Sequence, residues 1–346
     1  MARKRITYKG AGVDIAAGDR LVRRIRGVAL KTARPGLLAG VGGFSGLFDI
    51  KTLKYRHPVL VSSTDGVGTK LKIAFMTGVH DTIGVDLVAM GVNDVLTQGA
   101  EPIFFLDYFV SGKLDVGVAE KVIRGIADGC MQAGCVLIGG ETAEHPGDFP
   151  GGEYDLAGFA VGVAERDELP DPKTVAPGDA LIGLASSGLH SNGYSLARKV
   201  LLEVEGLRLE DRIAELGCTL GEEMLKPTRI YVKLVRALRR DYRIKAMAHI
   251  TGGGIPGNLP RVLPEGRRAY IRRKSWTVPP IFDLIRRFGR VSQPELDRTF
   301  NNGIGMILVV AKDDAAGVEA ALKKMGEPYA IMGEIRKGAR GAQIVP

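Results

Sequence analysis

Residues 94–102, Asp-Val-Leu-Thr-Gln-Gly-Ala-Glu-Pro, place a carboxylate near the end of a helix-like segment. A Gly-Ala turn and a proline then lead into an apolar run. A helix C-terminus is the wrong end for a free carboxylate, so Asp94 calls for a cation. Asp65 closes a valine-rich run and is followed by two glycines and Lys70, within Ser-Ser-Thr-Asp-Gly-Val-Gly-Thr-Lys. Glu141 follows Gly139 and Gly140 at the end of another apolar run. Asp86, Met90 and Asn93 share one helical face, with Asp94 roughly 80° further round. Their neighbours are Leu, Val, Ala, Met and Gly, and a buried carboxylate needs a partner or a metal. Hard oxygen ligands delivered from several element ends suit Mg²⁺ bridging to a phosphate. The expected metal set is Asp65, Asp94 and Glu141, with Asp86 in addition. Asp65, Gly66, Thr69, Lys70, Asn93 and Asp94 are the expected nucleotide contacts, Lys70 acting as a point charge on a phosphate. Asp107, inside an apolar strand, reads equally as a further ligand or as a satisfied core acid.

Glycine loops give the second signal. Gly40, Gly42, Gly43 and Gly46 break the Gly-x-Gly-x-x-Gly spacing and follow no strand, which argues against a Rossmann dinucleotide site. No Gly-x-x-x-x-Gly-Lys-Ser/Thr is present, so the chain is not a P-loop protein. The 40–46 loop can still wrap phosphates through its backbone N–H groups; a plain surface loop is the alternative. Ser186-Ser-Gly-Leu-His-Ser-Asn-Gly-Tyr-Ser195 links a strand to a helix, whose free N–H groups make an anion site. His190 stands at its mouth, fit for acid or base work near its ordinary pKa of about 6.5. The segment from His249 repeats the arrangement with Gly252, Gly253 and Gly254. Ser187, His190, Ser191, Asn192 and these three glycines are the expected substrate contacts, and two such loops suggest a phosphorylated substrate. His57, His80 and His145 have no supporting constellation.

These groups need elements to hold them. The pattern predicts strands over 58–64, 103–110, 136–138 and 154–164, and helices over 81–98 and 116–132. Residues 1–55 are glycine-rich and weakly periodic. Three prolines and several charges mark 167–178 as a linker. Beyond it the reading gives strands over 180–185, 246–250, 304–310 and 329–335. Helices are expected over 193–204, 222–240, 279–288 and 313–325. The fold class is α/β of the α+β type, in two mixed α/β domains, 1–170 and 171–346.

Composition sets bounds. A length of 346 residues fits two domains better than one core. An apolar share of 45% and a charged share of 25% are those of a soluble globular chain. No apolar run approaches the ~20 residues of a membrane span, and the start lacks a signal-peptide core. Three cysteines without a Cys-x-x-Cys pair exclude a disulfide framework and argue against zinc, so the expectation is cytoplasmic. The net charge of +9 raises a nucleic-acid alternative. Its basic clusters, at 20–26, 236–245 and 267–274, are not interleaved with aromatics, so stacking platforms are missing. The excess charge suits an anionic small substrate instead.

The motifs together resemble the phosphoribosylformylglycinamidine cyclo-ligase family, the AIR synthetases of purine biosynthesis. The matching segments are Tyr8-Lys-Gly-Ala-Gly-Val-Asp14 and residues 40–48, 63–70, 81–108, 139–146, 186–198, 227–231, 249–264 and 300–306. Residues 94–102 fit the Asp-x-x-x-x-Gly-Ala-x-Pro signature of a wider superfamily. It includes thiamine-monophosphate kinase, selenophosphate synthetase, a hydrogenase maturation factor and the FGAM synthetase. The first cysteine, Cys130, lies too far along for selenophosphate synthetase, and the final Gln-Ile-Val-Pro lacks the hydrogenase factor's cysteine. Thiamine-monophosphate kinase lacks the patterns at 189–193 and 251–254, and FGAM synthetase is usually longer or multi-subunit. The resemblance implies a homodimer in which N-terminal strands of two subunits close a β-barrel, with the active site in a cleft beside the C-terminal domain. It implies ATP and Mg²⁺, with FGAM converted to AIR, ADP and phosphate, and Asp94, Lys70 and His190 as catalytic residues. Two positions depart from the pattern. Ser45 stands where a glycine is expected, and Arg26 stands where a lysine near the nucleotide is expected, keeping charge but not geometry. The rival reading is another ATP-dependent member of the superfamily.

Overall fold

The computed structural model describes residues 6–346. The chain opens with α1 (Ile15–Leu30), β1 (Leu37–Ala39) and β2 (Leu47–Phe48), followed by β3 (Pro58–Gly66) and α2 (Leu71–Thr77). Then come α3 (Ile83–Thr97), β4 (Glu101–Ser111), α4 (Val116–Ala133), β5 (Val136–Glu144) and β6 (Tyr154–Glu165). Within the 1–55 stretch, α1 forms because Ala17, Leu21, Ile25 and Val28 line one buried face and the Asp14 carboxylate accepts from the Ala17 N–H. Arginines and glycines between those positions mask the period.

The first sheet runs β3-β6-β4-β5, with β4 and β5 parallel and the other pairs antiparallel. Helix α3 is buried almost throughout, which its continuous apolar sequence requires, and α3 and α4 cover one face of the sheet. On the other face Leu60 and Phe159 are exposed and Phe104, Leu106 and Tyr108 only half-buried. Strand β5 extends to Glu144, beyond the expected 136–138, so Glu141 lies within a strand and not in a loop after it.

The second half contains β7 (Ala180–Ala185), α5 (Tyr194–Arg198), β8 (Arg212–Ile213), β9 (Cys218–Thr219), α6 (Leu220–Met224) and α7 (Val232–Leu238). It continues through β10 (Ile244–His249), α8 (Gly254–Asn258), β11 (Arg267–Arg272), α9 (Pro280–Gly289) and α10 (Gln293–Thr299). Strand β12 (Ile304–Val310), α11 (Ala315–Lys324), β13 (Tyr329–Lys337) and β14 (Gly341–Val345) complete it. Its sheet has the order β10-β12-β7-β13-β11-β14. Residues alternate across it. Ile182, Leu184, Met306 and Leu308 join the core shared with the first half, while Leu181, Ile307, Val309 and Ala248 pack with α8 and Leu259.

One expected helix is broken. Residues 222–240 form α6 and α7 with an irregular segment, 225–231, between them. Pro227 cannot donate to a helical ladder, and side chains from both halves take the segment's backbone groups instead. Lys70 donates to Lys226 O, Ser187 to Pro227 O and Asn93 to Arg229 O, while Thr228 N–H donates to Asp86.

Gly84 permits the close crossing of α3 and α4, because a Cβ there would collide with the backbone of Val122 and Ile126. Gly84→Ala is expected to cost about 1–3 kcal/mol by overpacking, read as a lower urea midpoint. An unchanged midpoint would show that the helices separate freely.

Candidate active site

Lys70 is fully buried, and so is Asp86, 2.7 Å away. The ammonium also donates to His190 O at 3.1 Å and Lys226 O at 2.7 Å, which uses all three of its protons. Asp86 Oδ1 accepts from Thr228 N–H and Oγ1–H, each at 2.7 Å, and from Ser191 Oγ–H at 3.0 Å. Burial pushes the Lys70 pKa down, and the Asp86 charge pushes back. The expectation that Lys70 meets a phosphate and Asp86 a metal is corrected by this placement. They form an ion pair that locks the first half to the second.

The neighbouring polar groups serve the same lock. Asn93 donates to Arg229 O at 2.8 Å and accepts from Tyr231 N–H at 3.0 Å, so it grips the 225–231 segment. His190 is buried at 1% exposure, not poised at an open mouth. Its Nε2 accepts from Ser187 N–H at 3.2 Å. Burial drives its pKa well below the ordinary value, and the charges of His249, Lys70 and Arg229 add to this, so the ring is neutral. Ser187, His190 and Ser191 therefore hold the loop in shape from within.

Asp94 lies elsewhere, beside a 360 Å³ cavity between the halves, lined among others by Ser62, Ser63, Gln98, His249, Thr251 and Arg261. Its Oδ1 is 2.9 Å from His249 Nδ1, and Ser63 Oγ–H donates to Oδ2 at 3.5 Å. Asp65 is close enough that the Asp94 charge helps raise its pKa. Burial is the larger cause, opposed by the Gly66 N–H, and the His249 charge also lowers it. Gly252 and Gly253 follow Thr251 at the rim, and Asn258 Nδ2 ties the turn by donating to Gly252 O at 3.1 Å and Gly254 O at 2.9 Å. Gly254 has φ +58, and a Cβ there would overlap Asp297 O, so no other residue fits. Thr69 and Ser195 meet at 3.1 Å beside the junction, and Asn192 is half-buried just before α5.

Glu141 is not part of this group. Asp65 pairs with Gly158, Gly158 with Asp107, and Asp107 with Gly140. Asp65 and Glu141 thus sit on opposite edge strands, three strand spacings or roughly 14 Å apart. Among the described residues no three His, Cys, Asp or Glu side chains gather to hold an ion. The expected four-carboxylate set is therefore not assembled in one chain; Asp65 and Asp94 are the two that face each other's charge. Glu141 instead lines a 570 Å³ cavity with Gly40, Gly42, Gly43, Ser45 and Gly46. Helix α1 walls it through Asp19, Val22 and Arg23, and Arg26 is exposed on the same helix.

The family described as AIR synthase related protein matches in both halves, its N-terminal domain over residues 51–164 and its C-terminal domain over residues 176–345. A phosphoribosylformylglycinamidine cyclo-ligase from Citrifermentans bemidjiense is 54% identical over 345 residues, covering 100% of this chain and 99% of that one. The chain belongs to the phosphoribosylformylglycinamidine cyclo-ligase family. Solved structures share the fold at lower identity. A thiamine-monophosphate kinase from Stenotrophomonas maltophilia has a TM-score of 0.66 at 18% identity, covering 96% of each chain. The hydrogenase maturation protein HypE in complex with ATP has a TM-score of 0.63 at 19% identity, covering 93% of this chain and 90% of that one.

Sequence reasoning passed over His249, Thr228, Arg229 and Arg261 in this cyclo-ligase fold. His249 was legible as the last residue of a strand before three glycines, the same strand-end logic that marked Asp65. Thr228 carried no signal, because its partner Asp86 is 142 residues away.

Lys70→Met leaves Asp86 buried without its cation and is expected to cost about 3–5 kcal/mol in urea denaturation. Adding Asp86→Leu should recover part of that loss. A single variant as stable as the wild type would show that the pair does not hold the halves.

Proposed function

We propose that the chain closes the imidazole ring of AIR from FGAM at the expense of ATP. The observation that carries this reading is identity of 52–58% to curated cyclo-ligases across nearly the whole chain. ATP phosphorylates the formamide oxygen of FGAM, making it a leaving group. The amidine nitrogen attacks that carbon, the ring closes, and ADP and phosphate depart. Such transfer needs positioning and charge neutralisation more than covalent help from the protein.

The cavity between the halves, lined by Asp94, His249, Thr251 and Arg261, holds the reacting end of FGAM. Gly252, Gly253 and Asn192 lie toward its substrate phosphate. The Gly40–Gly46 cavity, with Arg26 beside it, takes the nucleotide. Asp65 and Asp94 fit Mg²⁺, which binds one or two carboxylates and keeps its other positions for water and phosphate. When bound, the ion neutralises phosphate charge. Lys70, Asn93, Ser187, His190 and Ser191 act as positioning residues through segment 225–231.

The sheet face bearing Leu60 and Phe159 is the surface on which a second copy closes a barrel, making the enzyme a homodimer. No described helix is long and apolar enough to cross a membrane. Cys130, Cys135 and Cys218 are free thiols, in keeping with a reducing cytoplasm.

Asp94→Asn removes a charge-assisted contact of about 1.5–3 kcal/mol and should lower kcat/KM for Mg-ATP by roughly 10- to 150-fold, measured by AIR formation. Normal turnover at limiting Mg-ATP would sink the assignment. Separately, sedimentation should give a dimer, and Leu60→Glu should shift it to monomer. A wild-type monomer at micromolar concentration would exclude the barrel.

A further inference from the structure

Asp107 is a buried acid that the lock does not use and that opens on a cavity. It sits in β4 on the helix-facing side of the sheet, at 7% exposure, and lines the 570 Å³ cavity of the 40–46 loop. No other described residue hydrogen-bonds its carboxyl. Its carboxyl packs against Gly140, its partner on β5, where a Cβ would strike Asp107 Oδ1. Val22, Ile25, Val41, Ile123, Leu137 and Ile138 supply aliphatic wall to the cavity, which Asp19, Ser45, Glu141 and Thr142 also line. Arg23 and the glycine loop belong to the same cavity. An aliphatic inner wall with a buried carboxyl in it, exposed charged groups (Asp19, Arg23, Glu141) around it and backbone N–H groups along a glycine loop suit a purine nucleotide.

We propose that Asp107 reads the base edge of ATP, pairing with the 6-amino group and the adjacent ring nitrogen of adenine. The inference rests on the reading that the glycine-loop cavity takes the nucleotide. Adenine offers a donor beside an acceptor along this edge. A protonated carboxyl offers an acceptor beside a donor in one plane, so both partners are satisfied. An ionised carboxylate has no donor and turns a second lone pair toward the ring nitrogen.

Burial holds the Asp107 carboxyl up at about 7, with its own backbone N–H as the only opposing influence. The ionisable groups around it do not reverse this. Cys130 on α4 is itself pushed up by burial and by Cys135, and so carries no charge. Asp19 and Arg23 on α1 have opposite signs, and Glu141 on β5 pairs with Tyr108, out of step with Asp107 across the sheet. The protonated form therefore falls away as the pH rises through about 7. A competent fraction that shrinks raises the apparent KM in proportion.

The test is steady-state AIR formation with ATP and with purine riboside triphosphate, which lacks the 6-amino group. With the wild type the analogue's KM should be about 10- to 100-fold higher than that of ATP, the size of a lost buried hydrogen-bond pair. Asp107→Leu should raise KM for ATP by a similar factor and leave KM for FGAM unchanged. Asp107→Asn, whose amide keeps an acceptor beside a donor, should restore ATP binding to within about threefold. Between pH 6.5 and 8.5 the wild-type KM for ATP should climb up to about 30-fold relative to that variant. Equal use of the two triphosphates, or parallel pH curves for wild type and Asp107→Asn, would overturn the assignment even if Asp107→Leu fails to fold. Photolabelling with 8-azido-ATP separates the two levels. Label within 18–46 or 137–142 without base discrimination removes only Asp107, and label elsewhere removes the nucleotide site as well.

Discussion

A lysine ammonium and a carboxylate, both withdrawn from water, set the relation between the two halves of this protein. Taking two charges out of solvent costs several kcal/mol per ion after relaxation, and their attraction repays it only when the remaining valences are filled. Here they are filled from both sides of the junction. Lys70 finishes its three bonds on His190 O and Lys226 O, and Asp86 finishes its own on Thr228 and Ser191. Any sliding of one half on the other would strand a buried charge. The geometry of the junction is thereby restricted to one arrangement.

That restriction is what gives the cavity between the halves a defined shape. Asp94 comes from the helix that carries Asp86, and His249 from the strand that ends beside the glycine turn, so the contact at 2.9 Å joins groups of both halves. The lock and the reactive wall lie on one helix, separated by two turns. A buried and satisfied end thus holds a more exposed and chemically available one. This division explains why so many polar residues near the site make no contact with open space. Ser187, Asn93 and His190 spend their hydrogen bonds on main chain, and their effect on chemistry passes through the loop they hold.

Much of this was legible from residue order. The strands after 58, 103, 154, 180 and 304 were marked by apolar runs between turn signals, and α4 by its period. Asp94 and Asp65 were marked by standing at the ends of buried elements. What escaped had physical reasons. Helix α1 is amphipathic with an arginine-rich face that dilutes its pattern, and α2, α10 and β14 are too short to show a period. Residue type alone could not distinguish a lysine that meets a phosphate from one that pairs in the core, since both need an acid nearby. Glu141 has the same local signature as Asp65. Only the strand order, which puts them on opposite edges of one sheet, separates their surroundings.

The segment between α6 and α7 has no regular secondary structure, yet every turn of it is tied to a residue far back in the chain. Thr228 is 142 positions beyond the carboxylate that receives it. At synthesis rates of 5–20 residues per second, the ribosome takes roughly 7–28 s to cover that distance. During that interval the first half exists with its lysine and acid lacking their outer partners. Newly made chains therefore pass through a waiting period in which the N-terminal sheet is laid down but not sealed. The outer bonds of the pair form only once this short irregular stretch has been made, and the sheet of the second half, which needs β12 and β13, closes later still.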